Sequence, residues 1–134
     1  MKTILLAVLA SALAGPAAGP AAAQDEDQER DMDATHCVRI HSIEDIDIVD
    51  ADTLIFRMRG GAVYENDLSH RCVGLRRDDT LMYRSSQGQL CDVDIITVLE
   101  DWGFGFAPGA SCGLGMFHPI TAEIADELLR APEQ

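Results

Sequence analysis

Four cysteines (Cys37, Cys72, Cys91, Cys112) and four histidines (His36, His41, His70, His118) are the side chains best suited to metal or nucleophile chemistry. His36 adjoins Cys37, and His70 lies two residues before Cys72 in SHRC. Zinc accepts such ligands, but structural zinc sites favour cysteines two to four residues apart, and no pair here is that close. A C-x-x-C redox motif is also missing. An even set of widely spaced cysteines in an exported chain reads instead as two disulfides. Four cysteines allow three pairings, and spacing does not choose among them. The nested arrangement, Cys37–Cys112 outside Cys72–Cys91, is the expectation, because it would tie the first strand to the last.

Oxygen chemistry is the second candidate. DIDIVDADT (45–53) places four aspartates in nine positions. A helix-loop-helix calcium site needs D-x-D-x-D-G with a glutamate at its twelfth position. Val49 stands where the third acid belongs, and no glycine follows it. A turn is favoured, with a loose surface calcium site at Asp45–Asp52 as the alternative. Ser69–His70 and Ser111–Cys112 lack a G-x-S-x-G elbow and read as incidental neighbours. GFGF (103–106) lacks the G-x-G-x-x-G completion and is no phosphate cradle. No catalytic residue, metal ligand or cofactor site is assigned.

The positions that must hold this chemistry begin with an address. Lys2, an apolar run at 4–14 and a proline-rich, small-residue stretch at 16–24 form a tripartite export signal. Ala21 and Ala23 fit the small-x-small rule, so cleavage is expected after Ala23. The run is too short for a membrane anchor, which needs about 20 apolar residues. The remaining 24–134 would start with an acidic leader (24–36) expected to be disordered, followed by one β-rich domain over 37–134. The whole chain carries −13, and loss of Lys2 makes it −14, with all nine remaining basic residues arginine. Phosphates repel such a surface, so nucleic acid is an unfavourable partner. Lysine chemistry is unavailable after cleavage. Acidity by itself usually serves solubility, though it attracts cationic partners.

Period-two alternation dominates the domain. CVRIHSI (37–43) reads as one strand. Ile46 and Ile48 alternate with Asp45 and Asp47, and Leu54, Phe56 and Met58 share one face with Arg57 and Arg59 opposite. Two such runs about an Asp-rich link predict a hairpin. Gly60–Gly61 predict the next turn, returning at 62–66. Leu68, Cys72 and Leu75 are expected inside. Short strands follow at 80–85 and 90–100, the latter dense enough in Ile95, Ile96, Val98 and Leu99 to be well buried, with a last strand at 112–117. DWGFGFAPGAS (101–111), with three glycines and a proline, reads as a loop. Its aromatics Trp102, Phe104 and Phe106 either pack inward, the more frequent fate of aromatics, or form a ligand or partner loop. The C-terminal stretch changes to helical period, with Thr121 as cap and Ile124, Leu128 and Leu129 as the buried stripe. The expected fold is mainly β: a small antiparallel sheet or partly closed barrel, one short C-terminal helix and two disulfides.

The order of RIHSI, DADTLIF, GGAVYENDL, CVGL, MYRSSQGQLCDVDII and CGLGMFHPIT resembles the exported bacterial family called domain of unknown function 6491. The likeness runs over about 37–123, most specifically in Cys72–Leu75, Leu90–Cys91 and Cys112–Pro119. It implies export and a small domain, and supplies no activity or site residues. Three functions are therefore weighed. The first is a non-enzymatic periplasmic module binding an envelope protein, a cationic polypeptide or a small ligand. The second is an inhibitor of a cationic, lysozyme-type wall enzyme. The third is a metal or thiol enzyme using His36, His70, His118 and cysteines.

Overall fold

The computed structural model describes residue 15, residues 33–85 and residues 87–132. The export signal and most of the acidic leader lie outside the described residues. The elements are β1 (Cys37–Arg39), a 3-10 turn (Ile40–Ser42), β2 (Ile43–Ile48), β3 (Thr53–Met58), β4 (Val63–Asp67), β5 (Thr80–Tyr83), β6 (Gln89–Cys91), β7 (Ile95–Asp101), β8 (Phe106–Gly113), β9 (Phe117–Ile120) and α1 (Ala122–Arg130).

They build three small antiparallel sheets, in the orders β2-β3-β4-β9, β5-β7-β8 and β1-β6. No closed barrel forms among the described residues. The β2–β3 hairpin sets Ile46 opposite Phe56 and Ile48 opposite Leu54. Asp50 makes its turn: Oδ1 accepts from the N–H groups of Asp52 (2.8 Å) and Thr53 (3.0 Å). Gly60 and Gly61 have φ of 95° and 99°, which a side chain would oppose.

β3 is the heart of the molecule. Leu54, Ile55 and Phe56 are all fully buried, so both of its faces are covered. Leu54 and Phe56 join the main core with Leu90, Ile96, Leu114 and Phe117, where Phe56 and Phe117 meet edge to face at 5.1 Å. Ile55 points the other way, into a smaller core with Val49, Val63 and Ala125, flanked by Leu128 and Leu129 of α1. Thr121 caps that helix, its Oγ1 accepting from the Ile124 N–H at 3.2 Å. Leu68, Cys72 and Leu75 are buried as expected.

Two side chains fasten irregular backbone. Fully buried Asn66 donates from Nδ2 to the Gly115 carbonyl (2.7 Å) and accepts the Gly115 N–H at Oδ1 (2.9 Å). Arg77 donates to the carbonyls of Val49 (2.8 Å), Leu129 (2.9 Å) and Ala131 (2.6 Å), joining the β2–β3 turn to the end of α1.

Several expectations are corrected. The disulfides are Cys37–Cys91 and Cys72–Cys112, not the nested pairing. Cys37 stands directly opposite Cys91 in the β1–β6 ladder, so strand register brings those sulfurs together. The alternation at 37–43 breaks at the 3-10 turn. The predicted strand at 90–100 is two strands, because the Asp94 carboxylate accepts from the Cys91 N–H (2.7 Å) and turns the chain. Most of 101–111 is strand rather than loop. Pro108 is tolerated because β8 is a sheet edge and the ladder is irregular between Thr97 and Leu99. The last strand begins at Phe117 rather than 112. On α1, Ala125 takes the buried place and Ile124 faces solvent.

Candidate functional site

β7 and β8 form a long hairpin whose tip is WGFGF (102–106). Its turn is closed by two local bonds. The Trp102 N–H donates to the Gly105 carbonyl (3.1 Å), and the Gly103 N–H donates to Asp101 Oδ1 (2.8 Å). Gly103 and Gly105 take φ of 77° and 133°, conformations that L side chains avoid. The alternating glycines let the chain reverse in a few residues, so the aromatics between them project outward. Trp102 is 64% exposed, Phe104 103% and Phe106 60%. The expectation of inward packing is thus overturned.

A second group of exposed apolar side chains lies at the root of the hairpin. Seven large hydrophobic side chains are strongly exposed among the described residues, and five of them (Val93, Ile95, Trp102, Phe104, Phe106) fall within 93–106. At the hairpin root, Val93, Ile95, Met82 and Tyr83 line a cleft of about 380 Å³ with Arg84 and Asp94 at its polar side. Ile95 was expected inside. The alternation within β7 places Ile96 and Val98 in the core, and Ile95 is 57% exposed on the opposite face. Reading that run by phase rather than density would have found it. The charge beside the hairpin tip is acidic, from exposed Glu100 and Asp101, while Arg84 and Asp94 stand together at the root.

The other candidates are accounted for by structure. All four cysteines are in disulfides, so no thiol is left as a nucleophile. His36 Nδ1 lies 2.7 Å from Asp92 Oδ2, and His118 stands opposite Glu65 in the β4–β9 ladder. No group of three or more His, Cys, Asp or Glu side chains among the described residues has a metal-holding arrangement. In the aspartate-rich stretch, Asp50 caps its turn, Asp47 pairs with Arg57 (2.8 Å) and Asp52 with Arg71 (2.8 Å). Arg57 also reaches Asp126 at 3.0 Å. Its hydrogen bonds to Asp47 and then Asp126 raise the guanidinium pKa further above its ordinary value. These three carboxylates serve the fold, and Asp50 makes the turn that the sequence predicts. Ser69 donates to the Gly113 carbonyl (3.2 Å), and Ser111 shares a hydrogen bond with Thr97 (3.0 Å). No helix among the described residues is long and apolar enough to cross a membrane. No family model, no curated protein and no solved structure matches this chain.

Proposed function

We propose that this chain is an exported, non-enzymatic binding module that docks on a basic polypeptide of the cell envelope through the β7–β8 hairpin. The observation that carries the reading is the tip, where Trp102, Phe104 and Phe106 stand in solvent on a braced strand pair. At these exposures, docking of the three aromatics removes roughly 340–570 Å² from water. That is about half or more of the ~800 Å² each partner contributes to a standard interface. The basic character of the partner is argued from the acidic hairpin surroundings and from cation–π attraction of arginine or lysine to aromatic faces. Export is supported by the signal pattern and by two disulfides, which persist in oxidising compartments. Inhibition of a cationic, lysozyme-type wall enzyme is a narrower form of the same reading, favoured by the net charge.

The test replaces Trp102, Phe104 and Phe106 together by alanine. Chemical cross-linking in the native envelope should join the unaltered protein to a defined partner, and the triple variant should lose that product while its melting temperature stays unchanged. Equal cross-linking by both proteins would refute the reading. A wall-lysis assay with a cationic lysozyme decides the narrower form, which fails if micromolar protein leaves lysis unaffected.

A further inference from the structure

The fold leaves four outer strand edges in its two larger sheets, and they are treated unequally. Edge strand β8 carries Pro108, and edge strand β9 carries Pro119. Proline lacks the N–H that a neighbouring strand would need, so it blunts an edge against pairing. The remaining edges, β2 and β5, contain no proline. β2 pairs only with β3, and β5 only with β7.

These two proline-free edges face one another, the β2 ladder being irregular between Ile43 and Asp45 and regular from Asp45 to Ile48. A groove of about 290 Å³ runs between them, with Glu44, Asp45 and Ile46 on the β2 side and Asp79, Leu81 and Tyr83 on the other. Ile46, Leu81 and Tyr83 are half-buried and pack against the main core from the groove side. At the edge of β2 the Ile46 N–H donates to the Asp45 carboxylate at 2.9 Å. An exchangeable bond of that kind can pass to an incoming carbonyl. An open strand edge is the physical basis of recognition by strand addition, in which main-chain hydrogen bonds supply the affinity.

The sign of the rim selects the occupant. Glu44, Asp45 and Asp79 line the groove, and no basic side chain is among its described lining residues. We propose that the seam accepts an extended segment of a basic polypeptide in which apolar and cationic residues alternate. The segment pairs with the β2 edge, sets its apolar side chains on Ile46, Leu81 and Tyr83, and presents its cations to Glu44, Asp45 and Asp79. Alternation is required because successive side chains of a strand point to opposite faces. The inference shares the basic-partner element of the proposed function but does not depend on the hairpin tip.

The experiment uses the processed protein, isotopically labelled, titrated with three capped hexapeptides: RVRVRV, RPRPRP and EVEVEV. The first can form a strand and is cationic. The second has the same charge but cannot form a pairing edge. The third has the opposite charge. Binding of RVRVRV should shift the amide signals of residues 43–46 and 80–83 and slow exchange of the Ile46 amide about tenfold. RPRPRP should bind about tenfold more weakly or not at all, EVEVEV should not bind, and Glu44→Gln should weaken RVRVRV. The triple alanine variant of the hairpin tip should bind RVRVRV unchanged, which separates failure of this site from failure of the tip. Equal binding of the two cationic peptides would reduce the effect to bulk charge attraction and overturn the proposal. Shifts confined to the hairpin, no binding at all, or a seam already filled by a second copy in sedimentation would overturn it equally.

Discussion

Replacing Asn66 should be among the most damaging single changes available to this protein. Its amide is fully buried and serves both polar groups of Gly115, the N–H and the carbonyl. Gly115 belongs there because a Cβ at that position would run into the Asp67 carbonyl. Asn66→Ala strands two backbone groups, each costing about 1–3 kcal/mol when unsatisfied. Gly115 itself is only half-buried, so water can recover part of that loss. The net expectation is about 2–4 kcal/mol, against a total stability of roughly 5–15 kcal/mol for a typical domain. At about 4–8 °C per kcal/mol, melting followed by circular dichroism should fall by about 8–32 °C. Asn66→Asp gives a sharper result. Its carboxylate still accepts the Gly115 N–H but cannot donate to the Gly115 carbonyl unless protonated. Burial and that carbonyl raise its folded pKa above the unfolded value of about 3.9. Between the two values the folded state holds the extra proton, so stability falls as pH rises through that window. The Asn66→Asp protein should therefore approach the parent below about pH 4 and fall behind it toward neutrality. A loss under about 1 kcal/mol for Asn66→Ala, or a pH-independent deficit for Asn66→Asp, would refute this account of the buried amide.

The disulfide pairing is read directly by digestion before aspartate without reduction. Fragment 33–44 should remain joined to 79–91, and 67–77 to 101–125; joining of 33–44 to 101–125 would restore the nested arrangement. Removing either bond frees a loop of 54 or 40 residues, and the chain-entropy model puts each loss near about 4 kcal/mol. Arg77→Met keeps the apolar stem but removes three donors to backbone carbonyls. It should cost about 1–3 kcal/mol and accelerate amide exchange in α1 while leaving β7 and β8 protected; uniform acceleration across both would contradict a local fastening role.

Local patterns were legible in the sequence, and distant ones were not. The β2–β3 hairpin, the Gly60–Gly61 turn and the Thr121 cap each depend on chemistry within a few residues, and each lies where the pattern predicts. The disulfide partners depend on which strands meet. Cys91 finds Cys37 because a three-residue strand pairs with the first one across a separation of 54 residues, and nothing local to either cysteine records that. Pro108 and its neighbouring glycines carry loop chemistry, yet the strand there needs only one good edge, and a proline is tolerated on the other. The exposed tip was half legible. WGFGF marks a turn, but burial of its aromatics depends on whether another element lies over the hairpin. The seam between β2 and β5 follows from topology alone.

The acidic charge has a mechanical consequence for docking at the tip. Glu100 and Asp101 flank the aromatics and are solvent-exposed, so they sit at the rim of any interface centred on Trp102 and Phe104. Rim charges attract a basic partner over about a Debye length, some 10 Å at 0.1 M salt, and mainly set the rate of encounter. Aromatics at the centre mainly set how long the complex lasts. The two contributions are therefore separable by salt. Raising ionic strength should slow association about tenfold or more while dissociation changes little, and the tip substitutions should accelerate dissociation while association keeps its salt dependence. If salt instead accelerated dissociation strongly, Glu100 and Asp101 would lie inside the contact, paired with the partner's cations. The aromatics would then be supporting surface rather than its centre.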